Sequence, residues 1–192
     1  TTQSITVSQA GSYSAIVTTS NGCVDTTATY TTTLFADADT MVTVSGPLDF
    51  CSYNDVTLTA AAGQSYSWST VDTTQSITVS QAGSYYAVVT TINGCVGTTA
   101  IQTTALLADP DLTVSASGSL DFCSHDSVSL SAASGQIYLW NTGDTTESII
   151  STMAGTYSVI VTTADGCTDT TADYSTTIYA DADTSVVASQ TL

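Results

Sequence analysis

The feature that most constrains this chain is an internal repeat with a period of 72 residues. The segment TTQSITVSQAGSY at 1–13 recurs at 73–85 and, in a more diverged form, at 145–157. Residues 1–36 match residues 73–108 at 28 of 36 positions without a gap. The cysteines keep the same spacing, in two series: Cys23, Cys95 and Cys167, and Cys51 and Cys123. A fixed period of this kind indicates a tandem array, in which one structural unit is copied along the chain.

Each unit contains short segments in which apolar and polar residues alternate. In one unit these are 56–60, 66–68, 77–79 and 85–89, each bounded by Gly, Asp, Asn or Ser. Alternation with a period of two predicts β-strands with one buried face, and no segment has a helical period. Strands at intervals of about ten residues, with a tryptophan on the third strand, are typical of an immunoglobulin-like sandwich. We therefore predict an all-β chain of tandem immunoglobulin-like β-sandwich domains.

This fold assigns roles to the aromatic residues of the repeat. The tryptophan of the third strand is expected in the core, and the tyrosine of Ala-Gly-Ser-Tyr is expected at the tyrosine-corner position, where the sixth strand begins. The predicted core residues are Trp68, Trp140, Tyr13, Tyr85 and Tyr157.

The period also predicts where domains begin and end. Complete repeats are expected at 37–108 and 109–180. Residues 1–36 would then be the C-terminal strands of a preceding repeat, and 181–192 the first strand of a following one. On this interpretation the sequence is a window on a longer polymer, and its first partners are neighbouring repeats of the same chain.

The charge of the chain excludes several classes of partner. It has 17 acidic residues and no Lys or Arg, which gives a formal net charge of −17. Nucleic-acid binding depends on Lys and Arg that release counterions from phosphates, and attraction to anionic membranes depends on the same residues. We therefore expect no nucleic-acid partner. No apolar run approaches the roughly 20 residues of a membrane-spanning helix, so direct insertion into a membrane is not expected either.

Several motifs in fixed order resemble a known family. They are Phe50-Cys51, the alternating strand 56–60, Tyr-Ser-Trp-Ser-Thr at 66–70, Ala-Gly-Ser-Tyr at 82–85 and Asn-Gly-Cys at 93–95. Together they resemble the Ig-like and SprB-like repeats of giant surface proteins in Bacteroidetes. The resemblance covers essentially the whole chain. It implies secretion by the type IX system, an extracellular location at the cell surface and a role as an adhesin, in some members in gliding motility.

The same resemblance implies O-glycosylation. Secreted Bacteroidetes proteins carry O-glycans on Ser or Thr that follows Asp and precedes Thr or a small apolar residue. Such glycans would solvate the surface and shield strand edges, whereas the alternative interpretation is that these are ordinary turn residues. The positions that fit the pattern are Thr26, Thr40, Thr73, Ser127, Thr145 and Thr170.

Five cysteines in an acidic β-protein of this kind predict disulfides rather than metal ligands, because the chain has no CxxC motif. In a sandwich, Cys51 precedes the second strand at one pole, and Cys95 follows the sixth at the other. A seven-residue strand spans about 23 Å, whereas bonded cysteines need Cα atoms within about 7 Å. This geometry favours Cys51–Cys167 across a domain junction, with Cys23 paired outside the segment. Pairing within domains, Cys51–Cys95 and Cys123–Cys167, is the alternative, and free buried thiols are a third possibility.

Pairs of aspartates recur near the predicted domain boundaries. Alternating carboxylates can supply oxygen ligands for Ca²⁺, which takes six to eight of them, and a bound cation would stiffen the linker. The alternative is a solvated acidic hinge. Calcium is the only cofactor that the sequence suggests, and its candidate ligands are Asp37, Asp39, Asp109, Asp111, Asp181 and Asp183.

Nothing in the sequence predicts a catalytic site. The single histidine, His125, follows Cys123 in a loop where the preceding unit has Tyr53, so we interpret it as a solvated loop residue. A general acid–base pair needs a cleft and shifted pKa values, and near-identical copies extend a structure rather than build one pocket. We therefore expect no enzyme activity.

The function favoured by these observations is a structural segment of a long adhesive filament that grips an external surface or glycan. Alternatives are a carbohydrate-binding or spacer module of a secreted multidomain enzyme and a sheath or surface-layer protein with lateral contacts between copies. Tyr30, Tyr86 and Tyr179 would serve as sugar-stacking residues in the carbohydrate-binding alternative. They do not recur from unit to unit, which favours the filament.

Overall fold

The computed structural model describes residues 3–181, which form β-strands and turns and contain no helix. No helix able to cross a membrane therefore occurs in this part of the chain. The strands are β1 Gly11–Tyr13, β2 Ile16–Thr18, β3 Val24–Thr26, β4 Tyr30–Thr32, β5 Val42–Val44, β6 Asp49–Phe50, β7 Val56–Ala60, β8 Ser65–Trp68, β9 Ser76–Val79, β10 Gly83–Tyr85, β11 Ala87–Thr90, β12 Val96–Thr98, β13 Gln102–Leu106, β14 Val114–Ala116, β15 Asp121–Cys123, β16 Val128–Ala132, β17 Ile137–Trp140, β18 Ser148–Ser151, β19 Gly155–Tyr157, β20 Val159–Thr162, β21 Thr168–Thr170 and β22 Tyr174–Tyr179.

The strands repeat with the period of the sequence. Each of the strands β14 to β22 begins 72 residues after its counterpart among β5 to β13, as in the pair β7 and β16, which begin at Val56 and Val128. Both of these strands alternate buried and partly buried side chains along their whole length. Alternating side chains point to opposite faces of a sheet, so one face of each strand is apolar and covered.

Two layers of strands form the sandwich of β14 to β22. One sheet has the order β14-β16-β18. The other layer contains β17-β20-β21 and β15-β22-β19, in which β19 runs directly into β20, and β22 follows β21. All printed pairings are antiparallel except that of β15 with β22, which is parallel. The same strand orders recur in β5 to β13. The prediction of an all-β, immunoglobulin-like sandwich is thus confirmed.

Both layers contribute side chains to one apolar core. In the strands β14 to β22, the buried cluster takes side chains from β16 and β18 on one side and from β17, β19 and β20 on the other. Its members are Leu130, Ala132, Tyr138, Trp140, Ile149, Tyr157, Val159 and Val161. Alternation along each strand therefore places every second residue in the core, as the sequence pattern predicts.

The aromatic residues of the repeat are held by hydrogen bonds to the backbone. Trp68 and Trp140 are 2% and 1% exposed, and their indole N–H groups donate to the carbonyls of Thr74 and Thr146, each at 2.9 Å. The hydroxyl of Tyr157 donates to the carbonyl four residues upstream, Met153, at 3.1 Å. This is the hydrogen bond of a tyrosine corner.

The three tyrosines of the predicted core differ in burial. Tyr85 and Tyr157 are buried. Tyr13 makes the same upstream hydrogen bond, to the carbonyl of Gln9 at 3.0 Å, but it is only half-buried. Its place in the core is therefore corrected by the structure, because the apolar side chains around it, including Ile5 and Val17, lie exposed rather than packed.

The described residues form two compact units. The first contains 3–45, 57–77 and 84–102, and the second contains 46–56, 78–83 and 103–181. The first unit buries Leu58, Trp68, Ala87 and Val89. The domain boundaries inferred from the repeat, after residues 36, 108 and 180, stay a prediction.

One turn has an unusual backbone conformation. Val71 has φ of +70°, in the left-handed region, and Gly143 occupies the equivalent turn with φ of +92°. In both turns the backbone N–H of this residue donates to the tryptophan carbonyl three residues before it, at 2.9 Å. Left-handed φ suits glycine and strains a β-branched residue, so the fold imposes this conformation on Val71.

Candidate functional site: two loops joined by a disulfide

A tight turn after β6 presents the first cysteine of the site. We call residues 51–54 the foot loop. The N–H of Asn54 donates to the carbonyl of Cys51 at 2.9 Å and closes the turn. The hydroxyl of Ser52 donates to the carboxylate of Asp109 at 2.6 Å, which fixes the outer side of the turn. The foot loop is thus held at a fixed position by its own backbone and by an aspartate from the end of the same repeat.

A second turn, between β20 and β21, presents the other cysteine. We call residues 163–167 the head loop. The N–H of Thr163 donates to the carbonyl of Cys167 at 2.8 Å, and the N–H of Cys167 donates back to the Thr163 hydroxyl at 3.1 Å. Gly166 precedes the cysteine with φ of +88°, a conformation that glycine adopts without strain. The Asp-Gly-Cys sequence therefore determines the orientation of this cysteine.

The foot loop and the head loop are joined by a disulfide between Cys51 and Cys167, with their Cα atoms 5.6 Å apart. The bond is shielded from solvent, since the two residues are 6% and 0% exposed. A second contact lies beside it, where the phenol oxygen of Tyr53 accepts the backbone N–H of Thr168 at 2.8 Å. We call this two-point contact the cysteine clasp.

The sequence left two disulfide pairings open, and the structure has the one that joins successive repeats. Cys51 is bonded to Cys167, whereas Cys95 and Cys123 carry free thiols, so neither intradomain disulfide is formed. Cys23 is also free and exposed, and its predicted pairing outside the segment stays a prediction. The distance argument explains the result, because strands separate the two cysteines of one repeat.

A second copy of the foot loop follows β15 and contains the only histidine. Ser124 donates a short hydrogen bond to Asp181, as Ser52 does to Asp109. His125 takes the place of Tyr53, and its Nδ1 lies 2.8 Å from a carboxylate oxygen of Asp181. Nε2 lies 3.8 Å from the carboxylate of Asp126. The histidine predicted to be a solvated loop residue is indeed exposed, and it is also paired with a carboxylate.

These contacts shift two pKa values in opposite directions. The hydrogen bond from Asp181, followed by the negative charge of Asp126, raises the pKa of His125 above its ordinary value. The hydrogen bond from Ser124, followed by that from His125, lowers the pKa of Asp181. Both effects favour the charged forms of the two side chains, so the pair is an ion pair when the histidine is protonated.

The aspartates proposed as calcium ligands serve separate local roles. Asp39 accepts the N–H of Met41 at 3.0 Å, and Asp111 accepts the N–H of Thr113 at 2.9 Å and its hydroxyl at 2.5 Å. The Thr113 hydroxyl, and then its N–H, lower the pKa of Asp111. Asp37 is exposed, and Asp183 lies outside the described residues.

Within residues 3–181 no three or more His, Cys, Asp or Glu side chains form a group that could hold a metal ion. Calcium binding therefore stays a prediction of the sequence. Asp109 and Asp181 act instead as acceptors for the hydroxyls of the two foot loops.

The six candidate glycosylation positions are all exposed. They occupy turns and strand ends at the surface, where an attached sugar would meet no packed neighbour: Thr26, Thr40, Thr73, Ser127, Thr145 and Thr170. Exposure is a necessary condition for modification and does not distinguish it from plain turn chemistry.

Sequence reasoning missed three contacts of the site: that of Tyr53 with Thr168, that of Ser52 with Asp109, and that of His125 with Asp181. A signal for the serine–aspartate contact was present, since Ser52 and Ser124 lie 72 residues apart, as do Asp109 and Asp181. Residues that recur together at fixed separation are candidates for a contact. The site can form and break one disulfide, and it offers hydrogen bonds that hold two loops in register.

Comparisons with known proteins add little to this description. No protein-family model and no curated protein matches the chain. Among solved structures, murine CEACAM1b is 13% identical, covers 69% of this chain and 96% of its own, and has a TM-score of 0.32.

The fibronectin(III)-like modules of Clostridium thermocellum CbhA are 15% identical, with 73% and 94% coverage and a TM-score of 0.32. A third structure is Bacteroides ovatus SGBP-B of a mixed-linkage glucan utilization locus, in complex with a heptasaccharide. It is 14% identical with a TM-score of 0.22, and the match covers 90% of this chain and 54% of that protein. TM-scores this low carry no argument, so the fold assignment rests on the strand order itself.

Proposed function

We propose that this chain is a non-enzymatic structural segment of a long extracellular filament at the cell surface, of the kind formed by adhesin repeats of Bacteroidetes exported by the type IX system. The observation that carries the proposal is the cysteine clasp, which joins the foot loop of one 72-residue repeat to the head loop of the next. A bond between successive copies supports a role in which the copies work as a continuous element.

The chemistry of the clasp supports an extracellular location. Disulfides persist in oxidising environments and are rare in the cytosol. The net charge of −17 and the absence of Lys and Arg favour repulsion between chains and solubility of long arrays. Proteases that cleave after Lys or Arg find no site in such a chain, which suits an exposed surface protein. The exposed glycosylation candidates are compatible with the same setting.

Adhesion would arise from many weak contacts rather than from one pocket. Repeated modules on one chain bind a surface with an avidity greater than any single contact provides. In the alternative, a carbohydrate-binding module, aromatic side chains stack on sugars. Tyr30, Tyr86 and Tyr179 are exposed, but their positions do not correspond between repeats. This favours the filament over a repeated sugar platform, and lateral packing into a sheath or surface layer is the remaining alternative.

The proposal is tested with antibodies raised against this chain, applied to intact and to permeabilised cells of the source organism. We expect labelling of intact cells in extended surface structures by immunogold electron microscopy, and a reduced attachment of cells to glass when the antibody is present. Labelling only after permeabilisation would contradict the proposal. Labelling of a uniform coat without extended structures would favour the sheath or surface-layer alternative. Attachment blocked by a soluble polysaccharide that also binds the purified chain would favour the carbohydrate-binding alternative.

A further inference from the structure

The two halves of the cysteine clasp occur again in the chain without each other. Residues 123–126 are a second foot loop, and residues 19–23 and 91–95 are further head loops. Their cysteines, Cys123, Cys23 and Cys95, have free thiols. The clasp that is formed therefore uses one of two foot loops and one of three head loops.

The unpaired foot loop has the conformation of the paired one. The N–H of Asp126 donates to the carbonyl of Cys123 at 2.9 Å, as that of Asn54 does to Cys51. Ser124 binds Asp181 as Ser52 binds Asp109. The orientation of the foot cysteine is thus set by its own repeat and does not depend on the disulfide.

The unpaired head loops likewise match the paired one. The N–H groups of Cys23, Cys95 and Cys167 each donate to a threonine hydroxyl four residues upstream, at 3.1 Å in all three. The preceding glycines, Gly22 and Gly94, have φ of +82°. All three head cysteines are therefore presented in the same way before any bond forms.

The burial of the cysteines shows what the unpaired copies lack. Cys51 and Cys167 are buried, whereas Cys95 and Cys123 are half-buried and Cys23 is exposed. Equivalent positions with equivalent backbones differ in exposure because the paired copies are covered by the opposite loop. The free cysteines thus present surfaces that fit a loop of the complementary kind.

The separation of the bonded pair identifies which repeat supplies that loop. The foot and head cysteines of one repeat are 44 residues apart, since 95 − 51 = 44 and 167 − 123 = 44. The bonded pair is 116 residues apart, which is 44 plus one period of 72. Each foot loop therefore selects the head loop of the following repeat rather than its own.

We propose that every repeat of this protein is clasped to the next by the same disulfide, so that Cys123 pairs with the head cysteine of a following repeat, and Cys95 with the foot cysteine of a preceding one. This inference rests on the proposed filament and names the partner of its free cysteines. Each new bond forms when two thiols lose two protons and two electrons to a disulfide oxidant. With oxidised glutathione as the oxidant, one protein disulfide and two molecules of reduced glutathione result.

The test is a variant chain with a second copy of residues 109–180 inserted after residue 180. The inserted copy carries Ala164→Ser and His125→Tyr as mass markers, which reproduce Ser20 and Tyr53 of the other repeats. The variant is oxidised with glutathione disulfide, cleaved at aspartate without reduction and analysed by mass spectrometry. We expect the Cys51–Cys167 link and, in addition, a link from Cys123 to the head cysteine of the inserted copy.

Thiol counts give an independent readout. The original chain has 5 − 2 = 3 free thiols, and the variant, with two further cysteines in one further clasp, is expected to retain three as well. A count of five, or a link from Cys123 to Cys95 or Cys167, would overturn the proposal.

Cys51→Ser in the extended chain is the matched control. If each clasp is independent, this variant loses the Cys51–Cys167 link but keeps the link to the inserted copy. Transfer of Cys167 to Cys123 would show pairing within a repeat and would overturn the proposal. Both results are independent of where the protein is displayed, so they are distinguishable from failure of surface labelling.

Discussion

Residues 1–36 and 73–108 have nearly the same sequence and the same hairpins, but their side chains are in different surroundings. In the first copy β1 pairs with β4 and β2 with β3, and in the second β11 pairs with β12 in the equivalent register. Yet Ile5 is 71% exposed and Ile77 only 6%, and Val17 is 53% exposed whereas Val89 is fully buried. Local sequence thus determines the hairpins, whereas burial depends on strands contributed by the rest of a repeat.

The most severe way to test this comparison is to place a charge at the same position in both copies. We expect Val89→Asp to abolish cooperative folding of the first unit, because an unpaired buried charge costs several kcal/mol, comparable with the roughly 5–15 kcal/mol that stabilise a whole domain. Val17→Asp is the control and should change the stability by about 0.5 kcal/mol or less. Near-ultraviolet circular dichroism and thermal unfolding measure both, and equal loss in the two variants would show that Val17 is also packed.

A milder version removes apolar volume at the other matched position. Ile77→Ala should lower the free energy of unfolding by about 2–5 kcal/mol, the usual cost of truncating a buried aliphatic side chain. Ile5→Ala should have an effect of about 0.5 kcal/mol or less, since its side chain is already in solvent. Urea denaturation followed by tryptophan fluorescence gives both values, and the comparison fails if the two differ by less than their errors.

A hydrogen bond separates the two copies in the same way. The hydroxyls of Thr99 and Thr27 accept the N–H groups of Ala87 and Ala15, both at 2.9 Å, but only the first of these bonds is buried. Thr99→Val leaves a buried N–H without an acceptor and should cost about 1–3 kcal/mol. Thr27→Val should cost much less, since water can replace its hydroxyl. Amide hydrogen exchange at Ala87 and Ala15 reports the effect directly, and equal costs in the two variants would mean that burial does not decide it.

The turn after the tryptophan tests the opposite case, in which sequence differs and backbone does not. Val71→Gly should stabilise the chain by up to about 1 kcal/mol, because relief of about 1–2 kcal/mol of left-handed strain exceeds the entropy cost of glycine, about 0.5–1 kcal/mol. Gly143→Val should destabilise by a similar amount. Thermal unfolding measures both changes, and a loss of stability in Val71→Gly would show that the valine is not strained.

The smallest expected effect distinguishes the two foot loops, one with tyrosine and one with histidine. The raised pKa of His125 means that its contribution is fully present below the ordinary histidine pKa and is lost as pH rises through the raised value. The lowered pKa of Asp181 means that its contribution is lost only as pH falls through that lowered value. The contact should therefore be strongest between about pH 4 and about pH 6.5.

Nuclear magnetic resonance titration of the histidine ring checks this window. His125→Tyr, which reproduces the first foot loop, is the control and should lose the pH dependence at the neutral end of the window. A His125 pKa at or below that of a free histidine would contradict the ion pair with Asp181.

Much of this fold could be predicted because its signals are local. Alternation in residues 56–60 and the Gly-Cys turns determine strands and loop conformations without reference to distant residues. The Cys51–Cys167 pairing needed only the length of a strand. The contacts of Tyr53 with Thr168 and of His125 with Asp181 could not be predicted, because they depend on how closely two loops approach. Tyr13 was assigned to the core from its motif alone, which indicates a hydrogen bond but carries no information on what covers the ring.

The position of the clasp has a mechanical consequence. When the chain is pulled from its ends, the load reaches Cys51 and crosses directly to Cys167, so the 116-residue stretch between them bears no tension while the bond is intact. At about 3.4 Å per extended residue, the bond withholds on the order of 400 Å of extension, which a reductant would release. A spacing of 116 residues on a period of 72 makes successive bonds overlap, so a fibre with every clasp closed would have no stretch of backbone left to lengthen under force.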